Sequence, residues 1–176
     1  FKNKARWPGE VPIELRTKPF LLCTLHRQES IDDPKILREL ISALVKIAET
    51  MPVIWPVHPR ARKALSRLEL PISKLGLTSP VGYLEMLSLL QTCALVATDS
   101  GGLQKEAYFF GKRCLTLRTE TEWVELVEAG ANTICGYSPE TILKAFQNRA
   151  DFPVKTEMYG GGYAAKRIAA KLASVL

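Results

Sequence analysis

"CALVATDSGGLQKEAYFFG", residues 93–111, holds the transition that decides the fold. Its first half is a short apolar run of strand length, the kind that suits a strand buried on both faces of a parallel sheet. The run stops at Asp99-Ser100-Gly101-Gly102, and the spacing then turns helical. A helix start leaves backbone N–H groups unpaired and carries the positive end of the helix dipole. Two glycines let an anion such as phosphate approach those N–H groups without a Cβ in the way. Ser100 adds a hydroxyl. Glu106 follows Gly102 by four residues, about one turn or ~6 Å along the helix. There a carboxylate can accept from the ribose hydroxyls of a nucleotide whose phosphate sits at the helix start. The bland alternative is a capping serine and a tight turn, so the rest of the chain has to weigh in.

Working outward, the strand-then-helix pattern repeats. "PFLLCTL" (19–25) is a continuous apolar run, followed by a helix over 32–50 that Asp32 or Asp33 can cap and Pro34 can open. Ile36, Leu37, Leu40, Ile41, Leu44, Val45 and Ala48 fall on one face of it. "VIWPV" (53–57) reads as a strand, with a helix over 61–70. "LGLTSP" (75–80) is a weaker strand, with a helix over 83–92. After the opening stretch come "RCLTL" (113–117), a helix over 121–130 stopped by Gly130, "NTIC" (132–135), and a helix over 138–149 with Ser138 as cap. Six strands alternating with helices across short connections predict an α/β fold, a Rossmann-like parallel sheet flanked by helices. Residues 1–18 read as a linker or entering arm, 19–158 as the sheet domain, and 159–176 as a terminal helix.

The bulk numbers agree. The chain has 176 residues, 47% hydrophobic and 24% charged, which suits one domain with a core. It begins without Met and reads as a piece of something longer. No apolar run is long enough to span a bilayer, so no membrane partner is expected. The net charge of +6 comes from scattered bases, which argues against nucleic acid and fits a preference for small anionic ligands. Cys23, Cys93, Cys114 and Cys135 form no C-x-x-C pair and read as buried thiols of a reducing, cytoplasmic protein. His26 and His58 are too few and too separated for a zinc site, so no metal is expected.

In an open parallel sheet, ligands bind beyond the carboxyl ends of the strands. The residues found there are His26-Arg27-Gln28-Glu29, His58-Pro59-Arg60, Val81-Gly82-Tyr83, Asp99-Ser100-Gly101-Gly102 and Arg118-Thr119-Glu120. Most of these groups are polar or glycine-rich, as one ligand site requires. His26 and Arg27 together can bind a pyrophosphate, and His26 can pass a proton. His58, between prolines, reads as a rigid turn.

Several stretches together resemble the non-hydrolysing UDP-N-acetylglucosamine 2-epimerases: "TLHRQES" (24–30), "PVHPR" (56–60), "PVGYLEML" (80–87), "TDSGGLQKEA" (98–107), "LTLRTETEWVELVEAGAN" (115–132) and "YGGGYAAKRI" (159–168). They occur in that family's order and spacing. The resemblance implies two Rossmann-like domains facing a cleft (the GT-B arrangement), with this chain as the C-terminal, UDP-binding half. It implies elimination of UDP to a 2-acetamidoglucal and its re-addition with C2 inverted, interconverting UDP-GlcNAc and UDP-ManNAc without a cofactor. It places His26 at the cleft as the catalytic residue of this half, and Arg27, Ser100, Gly101, Gly102, Glu106 and Arg118 on UDP. The family's acidic proton-transfer residues belong to the N-terminal half, so the expected partners are that half and the UDP-sugar, and the chain alone should be inactive. A homodimer of the full-length protein stays open.

Three positions depart from the family pattern. Trp123 stands where many members carry an Arg that contacts substrate, Met86 where a Phe often sits beside uracil, and Gly161 where the closing motif usually has Asp. "TETEW" resembles the branch acting on other UDP-2-acetamido sugars, including diacetamido-uronic acids. A glycosyltransferase half would share the S-G-G and the ribose Glu, but "TLHRQES" is unexpected in transferases.

Overall fold

The structure is a computed structural model that describes residues 9, 11, 17–148, 150–154 and 156–175. In chain order its elements are β1 (Leu21–Thr24), α1 (Gln28–Ile31), α2 (Pro34–Ile47), β2 (Val53–Pro56), α3 (Pro59–Leu65), β3 (Gly76–Thr78) and α4 (Tyr83–Thr92). There follow β4 (Leu95–Thr98), α5 (Gly101–Phe109), β5 (Cys114–Thr116), α6 (Val124–Glu128), β6 (Asn132–Ile134), α7 (Pro139–Gln147) and α8 (Ala164–Ala173).

All strand pairs are parallel, in the order β3-β2-β1-β4-β5-β6. The continuous apolar runs are explained by two covered faces. Leu21, Cys23, Val53, Trp55, Ala97 and Leu115 point to one side, against Leu37, Leu40, Leu44, Ala61, Ile142 and Phe146 of α2, α3 and α7. The alternate residues Phe20, Leu22, Ile54 and Val96 point to the other side, against Leu89, Leu90, Leu103 and Ala107 of α4 and α5. Leu22 and Leu40 are fully buried, and truncating either to Ala should cost about 2–5 kcal/mol.

The strand order reverses between β1 and β4, since β1 leads to β2 on one side while β4 leads to β5 on the other. A parallel sheet opens a crevice at such a switch point, beyond the carboxyl ends of its strands. Thr24 is paired with Thr98 at the last rung of the β1–β4 ladder. The register therefore sets the chain after Thr24 beside the chain after Thr98.

Local expectations hold in part. Asp33 caps α2, accepting from the N–H groups of Lys35 and Ile36 at 2.8 and 3.2 Å, with Pro34 next in the chain. Gly130 ends α6 at φ 74°, the left-handed conformation that favours glycine. Three expectations are corrected. Ser138 occupies the cap position of α7 but its side chain makes no capping bond. α3 runs over 59–65 rather than 61–70, because the proline at its first position starts it earlier. α6 starts at Val124 rather than 121, since Thr121 and Trp123 are held in a non-helical loop described below. The short α1 was not expected from its few apolar residues.

The arm expected over 1–18 lies mostly outside the described residues, but Val11 is buried with Phe20, Leu22 and Ile54. At the other end no residue of α8 is buried, and Ile168, Leu172 and Val175 are 60–73% exposed. No helix among the described residues is long and apolar enough to cross a membrane.

Candidate active site

The switch point is built around one buried carboxylate. Asp99 follows β4 and is fully buried. It accepts from the backbone N–H of His26 at 3.0 Å and of Arg27 at 2.9 Å, and it meets the Nδ1 of His26 at 3.2 Å. The corner after β1 is thereby tied to the corner after β4. The Thr24 and Thr98 hydroxyls, 2.6 Å apart, close the same junction, and the Thr98 hydroxyl also accepts from the Ser100 N–H at 2.9 Å.

The electrostatics follow. The hydrogen bond to Asp99 raises the pKa of His26 above its ordinary 6.5, although partial burial and Arg27 pull the other way. Burial pushes Asp99 upward, but the imidazole and the two backbone N–H groups outweigh it and hold the carboxyl below its ordinary value. With Nδ1 committed to Asp99, Nε2 is the ring nitrogen left for a ligand. The His26 side chain is half exposed.

A pocket of about 460 Å³ opens beside this pair. Its wall includes His26, Ser100, Gly102 and Glu106, with Thr24, His58 and Met86. Ser100 caps α5, its hydroxyl accepting from the Leu103 N–H. Neither Gly101 nor Gly102 has a positive φ, so backbone conformation does not demand glycine at either position. Nor does space in the free domain: a Cβ on Gly102 would meet only the Ser100 hydroxyl, at an ordinary contact distance of 3.8 Å, in the opening over the helix start. Glu106 lies one turn on, and burial raises its pKa while a hydrogen bond with Tyr83 opposes the rise.

Arg27 and Arg118 stand to one side of this pocket, at the start of α5. The Nε of Arg27 donates to the Asp99 carbonyl at 2.9 Å. Arg118 is buried, and its Nε has no hydrogen-bond partner among the described residues, with a Glu29 carboxylate oxygen 4.0 Å away. All seven predicted site residues thus meet at one sheet edge. His26, Ser100, Gly102 and Glu106 share the pocket, while Gly101, Arg27 and Arg118 gather beside it. His58 does both jobs: its Nδ1 accepts from the Arg60 N–H at 3.3 Å, as a turn residue would, and it lines the pocket.

Two further residues of this cluster are not among those seven. Asp99 was visible as a carboxylate at a strand end, but its role appears only once β1 and β4 are paired. Glu122 was hidden in a predicted helix; it makes ion pairs with Arg27 at 3.1 Å and Arg118 at 2.7 Å. Its loop is pinned on both sides. The Thr121 hydroxyl meets Gln104 Oε1 at 2.6 Å, and the Trp123 indole N–H donates to the Gly101 carbonyl at 2.8 Å. The Lys105 ammonium lies over the Trp123 and Tyr159 rings, 4.4 and 4.1 Å from their centroids. Among the described residues no group of three or more His, Cys, Asp or Glu side chains could hold a metal ion.

Comparisons with known proteins fit this geometry. Over 168 residues the chain is 46% identical to a UDP-2,3-diacetamido-2,3-dideoxy-D-glucuronate 2-epimerase of Pseudomonas aeruginosa, matching 93% of this chain and 47% of that protein. It is 38% identical over 135 residues to a UDP-N-acetylglucosamine 2-epimerase of Methanocaldococcus jannaschii, matching 73% of this chain and 37% of that protein. The crystal structure of the Methanocaldococcus jannaschii UDP-GlcNAc 2-epimerase in complex with UDP-GlcNAc and UDP superposes with a TM-score of 0.79 at 32% identity, over 92% of this chain and 47% of that one. The chain spans about half the length of the curated relatives it matches. The model of the UDP-N-acetylglucosamine 2-epimerase family matches residues 2–173. With its sheet order, its S-G-G helix start and its His26–Asp99 corner, the chain belongs to the UDP-N-acetylglucosamine 2-epimerase family.

Proposed function

We propose that this chain is the UDP-binding half of a UDP-N-acetylglucosamine 2-epimerase. The observation that carries the reading is the convergence at one switch point of the His26–Asp99 pair, the open start of α5 and the Glu106 carboxylate. The α5 N–H groups, the Ser100 hydroxyl, Arg27 and Arg118 hold the diphosphate. Glu106 accepts from the ribose, and Met86 flanks the base. The sugar then projects from the pocket past His26.

Epimerisation in two steps asks different things of the two halves. In elimination the C2 proton leaves, the bond from C1 to the diphosphate oxygen breaks, and UDP departs with the electron pair. The groups here stabilise that departing charge, and the His26 imidazolium donates a hydrogen bond or proton to it. In re-addition UDP returns to C1 and C2 takes its proton from the opposite face. The carboxylates that move the C2 proton come from an N-terminal half. The exposed apolar side chains of α8, Ile168 and Leu172, support a role for 159–176 in packing against that half, with 19–158 as the nucleotide domain. The four buried thiols suit a cytoplasmic protein.

The test is UDP titration by calorimetry on the full-length protein, with UDP-N-acetylglucosamine turnover followed by NMR in deuterated water. UDP binding with deuterium appearing at C2 is expected, and His26→Ala should lower turnover by at least ten-fold. The 176-residue chain alone should bind UDP without turning over. Absence of UDP binding by the folded full-length protein would overturn the reading.

A second reading concerns the sugar alone. The 46% identity to the diacetamido-glucuronate epimerase keeps a UDP-2,3-diacetamido-uronate substrate as the alternative, with no better support than UDP-N-acetylglucosamine. Parallel turnover of the two UDP-sugars decides between them.

A further inference from the structure

Glu122 lies where a ligand's phosphate would have to go. Its two carboxylate oxygens are each 3.3 Å from the position of a Cβ on Gly101, against the first turn of α5. The same carboxylate pairs with both guanidinium groups beside that turn, Arg118 at 2.7 Å and Arg27 at 3.1 Å. An anion held by two arginines at the positive end of a helix has the surroundings of a bound phosphate. The site's cationic groups, His26, Arg27 and Arg118, are faced here by Asp99, Glu29 and Glu122. Asp99 is fully buried and its carboxylate is committed to the corner after β1. Glu122 is different: its side chain is half exposed, so it can turn out to solvent without opening the core.

We propose that Glu122 is a built-in counter-anion of the diphosphate site, occupying it in the free domain and swinging away when the nucleotide's phosphates bind. This rests on the UDP-binding reading above. The movement is confined to one side chain. The loop backbone on either side stays fixed, through Thr121 on Gln104 and the Trp123 indole on the Gly101 carbonyl. The stand-in is also incomplete. One carboxylate leaves the buried Arg118 Nε without an acceptor among the described residues, whereas a diphosphate brings more oxygens and more charge to the same groups. An incoming phosphate therefore releases Glu122 and takes over its two arginines. Ligands that lack phosphate have no reason to move it.

The opposite role is a positioning one, in which Glu122 stays in place and holds Arg27 and Arg118 for the ligand. The two roles predict opposite signs. If Glu122 competes with phosphate, removing its charge should tighten binding; if it positions the arginines, removal should weaken it. Calorimetry on the full-length protein compares wild type, Glu122→Gln and Glu122→Ala against UDP, inorganic pyrophosphate and uridine. The Glu122 carboxylate is half exposed, which keeps each of its ion pairs weak, so releasing the two should tighten UDP and pyrophosphate by roughly three- to ten-fold. Uridine affinity should not change. Weaker or unchanged pyrophosphate binding in both variants, with wild type still binding UDP, would overturn the proposal. Failure of wild type to bind UDP would instead remove the site reading on which it rests.

Discussion

Thr24 and Thr98 face each other at the last rung of the β1–β4 pair with their hydroxyls 2.6 Å apart. The contact brings together chain segments 74 residues apart in sequence. Each segment carries half of the candidate site: His26 and Arg27 on one, Asp99 and the α5 start on the other. The functional groups beyond the rung inherit their spacing from the strand register.

Asp99→Asn is the sharpest test of that site. The amide keeps the shape but loses the charge and cannot accept all three donors. His26 should then titrate at a lower pH than in wild type, as NMR of its imidazole would show. Losing charge-assisted hydrogen bonds in a buried place should also cost about 2 kcal/mol in urea unfolding. A His26 midpoint unchanged by the substitution would mean that Asp99 does not tune it.

The pH dependence has a definite sign. The folded-state pKa of His26 is raised, so its contribution to stability is complete below its ordinary 6.5 and is lost as pH rises through the raised value. The folded-state pKa of Asp99 is lowered, so its contribution is present above its ordinary 3.8 and is lost as pH falls through the lowered value. The stability deficit of His26→Ala should therefore be largest between those two limits and shrink toward alkaline pH. Urea midpoints collected across the range measure it. UDP affinity should fall in wild type over the same alkaline interval, as the imidazolium loses its proton.

Glu106→Gln separates ribose from phosphate. Charged hydrogen bonds to two hydroxyls are worth roughly 1.5–3 kcal/mol each at most, so UDP should weaken by about ten-fold or more. Pyrophosphate, lacking a ribose, should bind as before. Equal losses for both ligands would make Glu106 a support of the helix.

Gly102→Ala should leave the free fold intact or raise its stability by up to about 1 kcal/mol, because Ala favours a helix and the added methyl finds open space. UDP binding should nevertheless fall by at least ten-fold, since that methyl would stand among the N–H groups a phosphate uses. Thermal unfolding and calorimetry on the same variant give both numbers.

Cys93 and Cys135 should resist alkylation in the native protein, since burial pushes both thiols up to about 12. Labelling in increasing urea should follow global unfolding. Rapid native labelling would show that the sheet faces open locally.

Much of this molecule was legible in its sequence, and the limits have physical causes. The central strands could be read because a strand covered on both faces must be apolar throughout, as Leu21-Leu22-Cys23 and Leu95-Val96-Ala97 are, whereas the edge strands β3 and β6 carry a weaker signal. The S-G-G site could be read because its parts are consecutive. Asp99 was legible as a residue but not as a partner, since its hydrogen bonds depend on which strand lies beside β4, a fact no local window contains. Glu122 was misread for a related reason. "TEWVELVEAG" has helical spacing throughout, but Thr121 and Trp123 bond to Gln104 and Gly101 of α5, and those long-range contacts hold the loop out of the helix through Trp123.

The bonds from Asp99 to the His26 and Arg27 amides also bear on motion. Backbone amides at an exposed strand end ordinarily exchange with solvent through small local fluctuations. These two are held by a carboxylate rooted in the core beside β4, so releasing their protons requires the two corners to part. They should exchange slowly, and at a common rate set by one opening event. Hydrogen exchange at His26 and Arg27 would then count how often the whole site comes undone, and a bound nucleotide, by bridging both corners, should make that event rarer still.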